Sequence, residues 1–273
     1  MSRVAQTEYE SLEGMTQPCS EGLCNLLWAL ADTKLLLGYH YGEWTFGTPE
    51  LEAAVANCSL SQTELGHVRL LHAVLKRHYE DDPEALVEAR PAEAFANIAY
   101  LDRPLTEWTE FVAMNAVVDL ATTRVLHTLR GSSFKPLRMS VDKMLDEERH
   151  HIHHGRGWFR TVAGQGDEGR GRLAATTRDA LQAVAVWLGP ADHPEDRALV
   201  EAGVKAESNP AIFAAVSEDI GALARAAGVA LDRPRPPAFD DWDARTRRAH
   251  LAGPAEDIVF HLRGGANALF KLS

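Results

Sequence analysis

Apolar and polar positions alternate along most of this chain at helical spacing. Leu23, Leu26, Leu27, Leu30 and Leu37 recur every three or four residues, and Lys34 sits inside that apolar stripe. Gly47-Thr48-Pro49 interrupts the pattern, with Thr48 suited to an N-cap and Pro49 to the first helical position. A second helix is predicted from Pro49 to Tyr79, with Leu60, Glu64, His67, Val68, Leu71 and Leu75 on one face. A polar, proline-marked connection follows from Glu80 to Arg103, and Pro91 to Tyr100 within it reads as a short helix. The third long helix is predicted from Leu105 to Arg130, with Val112, Asn115, Ala116, Asp119, Thr122, Thr123 and Leu126 as its inner stripe. After a turn at 131–136, a fourth runs from Leu137 to Val162. Its stripe is Val141, Met144, Leu145, Glu148, His151, Ile152, Gly155, Trp158 and Phe159.

Four glycines between Gly164 and Gly171 mark the clearest break. Helical patterns resume at 172–188, 195–207, 210–228 and 254–270, with a proline-rich link at Arg233–Pro237. No segment of useful length alternates as a strand would, so the fold class is all-α. Four long helices joined mostly by short turns pack most simply as an antiparallel four-helix bundle, here over residues 20–163. The helices over 172–270 are expected to cap that bundle within a single domain covering 1–273, or to form a dimer interface.

Composition narrows the function classes. Hydrophobic residues at 45% and charged residues at 25% describe ordinary globular chemistry. No run approaches the ~18 apolar residues of a membrane span. The opening MSRVAQTEYESLEG has no signal-peptide pattern, so a soluble, cytoplasmic protein is expected. A net charge of −11 argues against nucleic acid as a partner. Cys19, Cys24 and Cys58 lack metal-ligand spacing and are too few to staple the fold.

The candidate chemistry lies in two Glu-x-x-His pairs, Glu64-Leu-Gly-His67 and Glu148-Arg-His-His151. Residues three apart share a helix face, so each pair can present one carboxylate and one imidazole to the same ion. The motif alone is weak, but both glutamates fall on apolar stripes, where an unpartnered charge costs several kcal/mol. Glu147 and His150 have the same spacing but lie about 100° off that line. Register adds a further argument. Reflecting Glu148 through the turn at 131–136 gives position 119, and Asp119 is the acidic residue of the inner stripe there. Reflecting Glu64 through the turn at 45–49 gives position 30, where the inward polar residue within about one turn is Lys34, Asp32 pointing elsewhere. A bundle with Glu-x-x-His on two helices and a carboxylate on each of the others is the di-iron or di-manganese arrangement, and here a lysine stands where one carboxylate is due.

The chain resembles the ferritin-like subunits of the phenylacetyl-CoA epoxidase (phenylacetic acid catabolic) family. The resemblance is carried by Leu30-Ala-Asp, Gly42-Glu-Trp44, Pro49-Glu-Leu-Glu52, Ala56-Asn57 and Gly66-His-Val-Arg69, and continues through Glu148-Arg-His-His151, Arg156-Gly-Trp158 and Ala249-His-Leu-Ala-Gly-Pro254. Gly-Glu-Trp and Arg-Gly-Trp look like the family's structural subunit, whereas the Glu-x-x-His pairs and Asp119 look like its catalytic di-iron subunit. The resemblance implies a ferritin-like bundle with metal ligands at Glu64, His67, Asp119, Glu148 and His151, and it sets Lys34 at the first-helix carboxylate position.

These readings point to a non-haem iron oxygenase or oxidase that uses dioxygen to hydroxylate, epoxidise or oxidise an organic substrate, with an acyl thioester implied by the family. Two irons are expected, or one iron and a weaker second site, and manganese would accept the same donors. Lys34, Glu64 and Glu148 are the candidate catalytic residues. Lys34 is read as a charge partner within the site, as a neutral ligand or proton donor, or as a reactive amine. With no dinucleotide fingerprint and no iron–sulfur cysteine set, electrons are expected from a separate reductase. The assembly expected is a homodimer or a heteromer with a homologous subunit. The alternative is a non-catalytic scaffold subunit of a multicomponent di-iron oxygenase; an iron-storing ferroxidase suits the long linker and cap less well.

Other polar groups take plainer readings. Glu147, His150, His153 and His154 are expected on a solvated or interface face. Glu43 and Trp44 are read as a structural turn, with Glu43 a minor ligand candidate. Glu107 and Glu110 favour a helix start. Arg245, Arg247 and Arg248 form a surface run that could alternatively meet a CoA phosphate.

Overall fold

The computed structural model describes residues 7–79, 82–250 and 252–270. The first six residues, Glu80 and Asp81 at the predicted start of the connection, and Leu251 within the Ala249–Pro254 match lie outside them. Among the described residues the regular elements are helices: α1 (Gln17–Glu43), α2 (Leu51–His78), α3 (Pro83–Ala89), α4 (Trp108–Ala113) and α5 (Leu120–Leu129) come first. They are followed by α6 (Lys135–Ala163), α7 (Asp167–Leu188), α8 (Pro194–Glu201), α9 (Asn209–Ala226) and α10 (Glu256–Leu262).

α1 packs along α2, α5 along α6, and contacts between α2 and α6 and between α1 and α5 close the ring as a ferritin-like bundle. The apolar stripes meet at its centre. Leu27, Leu30 and Leu37 from α1, Leu71 from α2, Leu126 from α5 and Val141 from α6 are all fully buried. α7 covers α4 and α6, α9 covers α5 and α7, and α8 lies against α1. Leu173, Val184 and Trp187 of α7 and Val216 of α9 belong to the same buried cluster as the bundle residues.

The third long helix is not continuous. Between α4 and α5 the chain widens into a π-helical turn over Met114–Asp119, which inserts an extra residue per turn and carries both Asn115 and Asp119. α6 approaches this turn closely at Gly155, where a Cβ would lie 3.0 Å from Asn115 Cγ and 3.1 Å from the Ala116 nitrogen. A larger residue would need Asn115 or the turn to shift by a few tenths of an ångström.

Several expectations from the sequence need correction. α2 begins at Leu51 with Glu50 as its N-cap, not at Pro49, and the Thr48 hydroxyl instead donates to the Glu50 carbonyl. The short helix expected at Pro91–Tyr100 is two isolated 3₁₀ turns, Ala92–Ala94 and Ala99–Leu101. The α-helix of the connection is Pro83–Ala89, started by Pro83 and by Asp82 capping the Ala85 N–H. The glycine-rich break is shorter than its composition suggests: α7 starts at Asp167, after Gly166 at φ +115°, and runs through Gly169 and Gly171. Arg247 and Arg248 are not a surface run. Arg248 is buried against Asp102 and Asn97, and Arg247 lies over the Trp187 ring, 5.2 Å from its centroid.

Candidate metal centre

The bundle brings all six predicted site residues together, and each is at most 1% exposed. α1 supplies Lys34, α2 supplies Glu64 and His67, the π-helical turn ends on Asp119, and α6 supplies Glu148 and His151. Lys34 Nζ donates to Glu64 Oε2 at 2.9 Å and to Glu148 Oε1 at 2.6 Å, tying α1 to two helices at once. His151 Nδ1 lies 2.8 Å from Asp119 Oδ2 and 3.3 Å from Glu64 Oε1. His67 Nδ1 lies 3.2 Å from Glu148 Oε1 and 3.7 Å from Glu64 Oε2.

Neutral donors complete the cluster. Tyr41 donates its phenolic proton to Asp119 Oδ2 at 2.6 Å, and Thr123 donates to Glu148 Oε2 at 2.6 Å. Asn115 donates to the His151 carbonyl at 3.1 Å and receives His154 Nδ1 at 2.8 Å through its own side-chain oxygen. Sequence reasoning misses Tyr41 and Thr123 as members of the centre. Thr123 is on the predicted inner stripe, so its position is available there; Tyr41 lies on α1 two turns past Lys34, and that spacing is the signal that finds it.

Glu147 departs from its expected role. Its carboxylate is 38% exposed, yet Glu147 Oε2 lies 2.9 Å from His67 Nε2, so it reaches across from α6 to α2. An imidazole that gives its Nε2 proton to Glu147 presents Nδ1 as a lone pair toward Glu148, the arrangement that orients metal-binding histidines. His150 and His153 remain exposed as expected, whereas His154 turns partly inward to Asn115. Glu43 is exposed at the end of α1 and does not join the cluster. Asp32 is buried but points away: it accepts from the Ala96 N–H at 2.8 Å and pairs with Arg90. Glu107 and Glu110 form a reciprocal capping box at the start of α4, and Glu110 also accepts from Arg103 at 2.6 Å.

Electrostatics follow from burial opposed by close partners. Burial disfavours the charged form of every group here. For Lys34 that effect is outweighed by the charges of Glu148, Glu64 and Asp119, which raise its pKa. Glu64 and Glu148 are likewise held below the carboxylate range, Lys34 overcoming their burial. Asp119 moves the other way, raised by burial and by the charge of Glu148. His151 is raised despite burial because Asp119 and Glu64 face it.

The donor set suits one divalent ion. Glu64, Asp119, Glu148 and His151 each offer a ligand atom within 4.8 Å of the others. Glu64 Oε1, Asp119 Oδ1 and His67 Nδ1 are buried with no hydrogen-bond partner among the described residues. A buried polar atom without a hydrogen bond costs about 1–3 kcal/mol, more when charged, and an ion among Glu64, Asp119, Glu148 and His151 would relieve the two carboxylate oxygens. Charge also balances, since three carboxylates match one divalent ion plus the Lys34 ammonium with both imidazoles neutral. A second ion has no such fit, because Lys34 already bonds the two glutamates it would share.

Residues 6–250 match the family model for phenylacetic acid catabolic protein. Over 197 aligned residues the chain is 26% identical to one of the subunits of the 1,2-phenylacetyl-CoA epoxidase of Escherichia coli (strain K12), an alignment spanning 69% of this chain and 79% of that protein.

Proposed function

Since the chain belongs to the phenylacetic acid catabolic protein family, we propose that it serves a multi-subunit oxygenase and that its buried centre takes one iron ion. The observation that carries this reading is the group of unpartnered donors, Glu64 Oε1, Asp119 Oδ1 and His67 Nδ1, beside the four-residue ligand cluster. Glu64, Asp119, Glu148 and His151 would hold the ion, with His67 as the neighbouring donor. When bound, iron supplies dioxygen activation for hydroxylation, epoxidation or oxidation of an organic substrate, an acyl thioester by analogy with the relative's name.

The chain's own groups prepare that chemistry. Lys34 supplies the positive charge that a second ion would otherwise bring, and the carboxylates that raise its pKa keep the proton on Nζ, against its reading as a neutral ligand or proton donor. Thr123 fixes the Glu148 oxygen that Lys34 does not hold, and Tyr41 fixes Asp119 Oδ2. Fully buried Leu30, Leu37, Phe111 and Val117 belong to the apolar core of the same bundle, which favours keeping bulk water out. Manganese would satisfy the same donors. Electrons would come from a separate reductase, and the protein would work as a dimer or beside a homologous subunit.

A second reading, a non-catalytic scaffold subunit, is favoured by the doubly bonded Lys34 and by the near-complete burial of the centre. With both imidazoles protonated, three cations match three carboxylates without any metal. The two readings separate on metal content after anaerobic loading of the full chain with ferrous iron. The oxygenase reading expects about one iron per chain, lost in His151→Ala and rising toward two in Lys34→Glu. A wild-type chain that takes up no iron would overturn it in favour of the scaffold.

A further inference from the structure

One face of α2 carries nothing that the buried centre uses. The inner side of this helix packs on α1 and α6 and holds Glu64 and His67, while α7, α8 and α9 pack chiefly on α1, α4, α5 and α6. On the outer side Leu51, Val55, Cys58, Gln62, Leu65 and Arg69 are all exposed, Leu51 at 75%, Val55 at 64% and Leu65 at 41%. Phe46, in the turn before α2, prolongs this apolar surface and is 98% exposed. The six helical positions follow one another at alternating steps of four and three residues. That is the heptad spacing that lays one seam along a helix facing a partner helix. A single exposed leucine needs no explanation, but an apolar stripe at heptad spacing does.

We propose that this seam is covered by the same seam of a second copy of the chain, α2 packing antiparallel on α2 about a two-fold axis. Of the assemblies proposed above this selects the pair of identical chains, and it does not depend on iron. Charge along the helix selects both the occupant and the direction. Glu50 and Glu52 stand exposed at the N-terminal end of α2, and Arg69, Lys76 and Arg77 stand exposed toward its C-terminal end. Neither Glu52 nor Arg69 has an ion-pair partner among the described residues. A parallel pair would set like charges side by side, whereas an antiparallel pair sets each acidic end against a basic one.

The layers of an antiparallel pair also fix the register. With the axis passing at the level of Leu60, Val55 meets the partner's Leu65, and Leu51 lies beneath the aliphatic stem of the partner's Arg69. Cys58 faces the partner's Gln62, and every contact occurs twice. In the same register Glu52 comes level with the partner's Val68, next to the partner's Arg69, so both unpaired charges are matched. Within one chain Glu52 and Arg69 are about 25 Å apart along the helix and cannot meet.

The test is sedimentation velocity of the full chain over a range of concentrations. The wild type should form a dimer that dissociates on dilution. Val55→Asp, which sets a charge in the seam, should raise the dissociation constant at least roughly tenfold. Glu52→Arg and Arg69→Glu should each raise it by roughly tenfold, because each replaces two attractions with two repulsions. The double variant Glu52→Arg/Arg69→Glu should return close to the wild-type value, a rescue that only contact between copies can give. A short bismaleimide should join two chains through Cys58, and Cys58→Ser should abolish the product. All the substituted side chains are exposed, and circular dichroism with thermal melting checks that each variant folds. A chain that is monomeric at every concentration, or that associates only with a homologous subunit, overturns the proposal. So does a dimer unmoved by Val55→Asp and by both single charge reversals. Iron content on the same samples keeps the readings apart: an iron-free chain that dimerises through α2 loses the oxygenase reading and keeps the interface, whereas an iron-loaded monomer loses the interface and keeps the centre.

Discussion

Lys34 shows how one side chain decides what a buried centre can hold. Its ammonium compensates Glu64 and Glu148, and removing it leaves two carboxylates facing each other away from water. Lys34→Gln should therefore lower the stability of the chelator-treated protein by about 3–5 kcal/mol, read from urea unfolding. Adding ferrous iron should recover part of that loss, because an ion bound to the folded state alone stabilises it by mass action. Glu147 acts one layer further out. Glu147→Ala should weaken ferrous iron binding about 10–100-fold, measured by calorimetric titration, and Glu147→Gln should lose less because its amide oxygen still accepts from His67. His40 gives a pH dependence separate from the candidate metal ligands. Buried, with Nε2 3.0 Å from the Leu101 carbonyl, its imidazole is pushed down to about 4 by burial, from an ordinary 6.5. As pH falls, the unfolded chain takes up this proton first. The His40 contribution is intact above pH 6.5 and is lost as pH approaches 4, up to about 3 kcal/mol. His40→Gln, which keeps a donor for Leu101, should flatten that part of the profile.

At the scale of elements, the long helices are legible in the sequence because their apolar stripes repeat over many turns. Glu64, His67, Asp119, Glu148 and His151 are legible for the same reason: each interrupts a stripe with a polar group, and helical register aligns the stripes. The π-helical turn is not, since one extra residue in a hydrogen-bond ladder leaves no mark on composition or period. Glu147 escapes a sequence reading because it lies off the stripe of its own helix, and only the placement of α2 against α6 brings it to His67. Arg248 escapes it because nothing local says that a basic run will be folded under and paired with Asp102. The π-helical turn depends on its neighbour. Gly155→Ala would push a methyl group against Asn115 and the Ala116 nitrogen, so it should cost about 1–3 kcal/mol in thermal or urea unfolding.

For the whole molecule, one buried cluster draws residues from α1, α2 and α4 through α9. Arg248 binds the segment after α9 to Asn97 and Asp102 beside the bundle. We propose that the chain unfolds as one cooperative unit, the cap included. Circular dichroism and tryptophan fluorescence should then give coincident urea transitions, because the indoles lie in both regions: Trp28 and Trp108 in the bundle, Trp187 in the cap. Two separated transitions would divide the domain. No helix among the described residues is long and apolar enough to cross a membrane.

The lysine at the centre has a consequence for how the protein is made. Many metal-dependent folds stay open until their ion arrives, because ligand charges repel one another in the empty site. Here the repulsion is answered by a group that is already part of the chain, so α1, α2 and α6 can close as soon as they are synthesised. If the centre takes iron as proposed, a cell short of that metal would still accumulate folded chains, and metal supply would govern what the centre does rather than whether the chain survives.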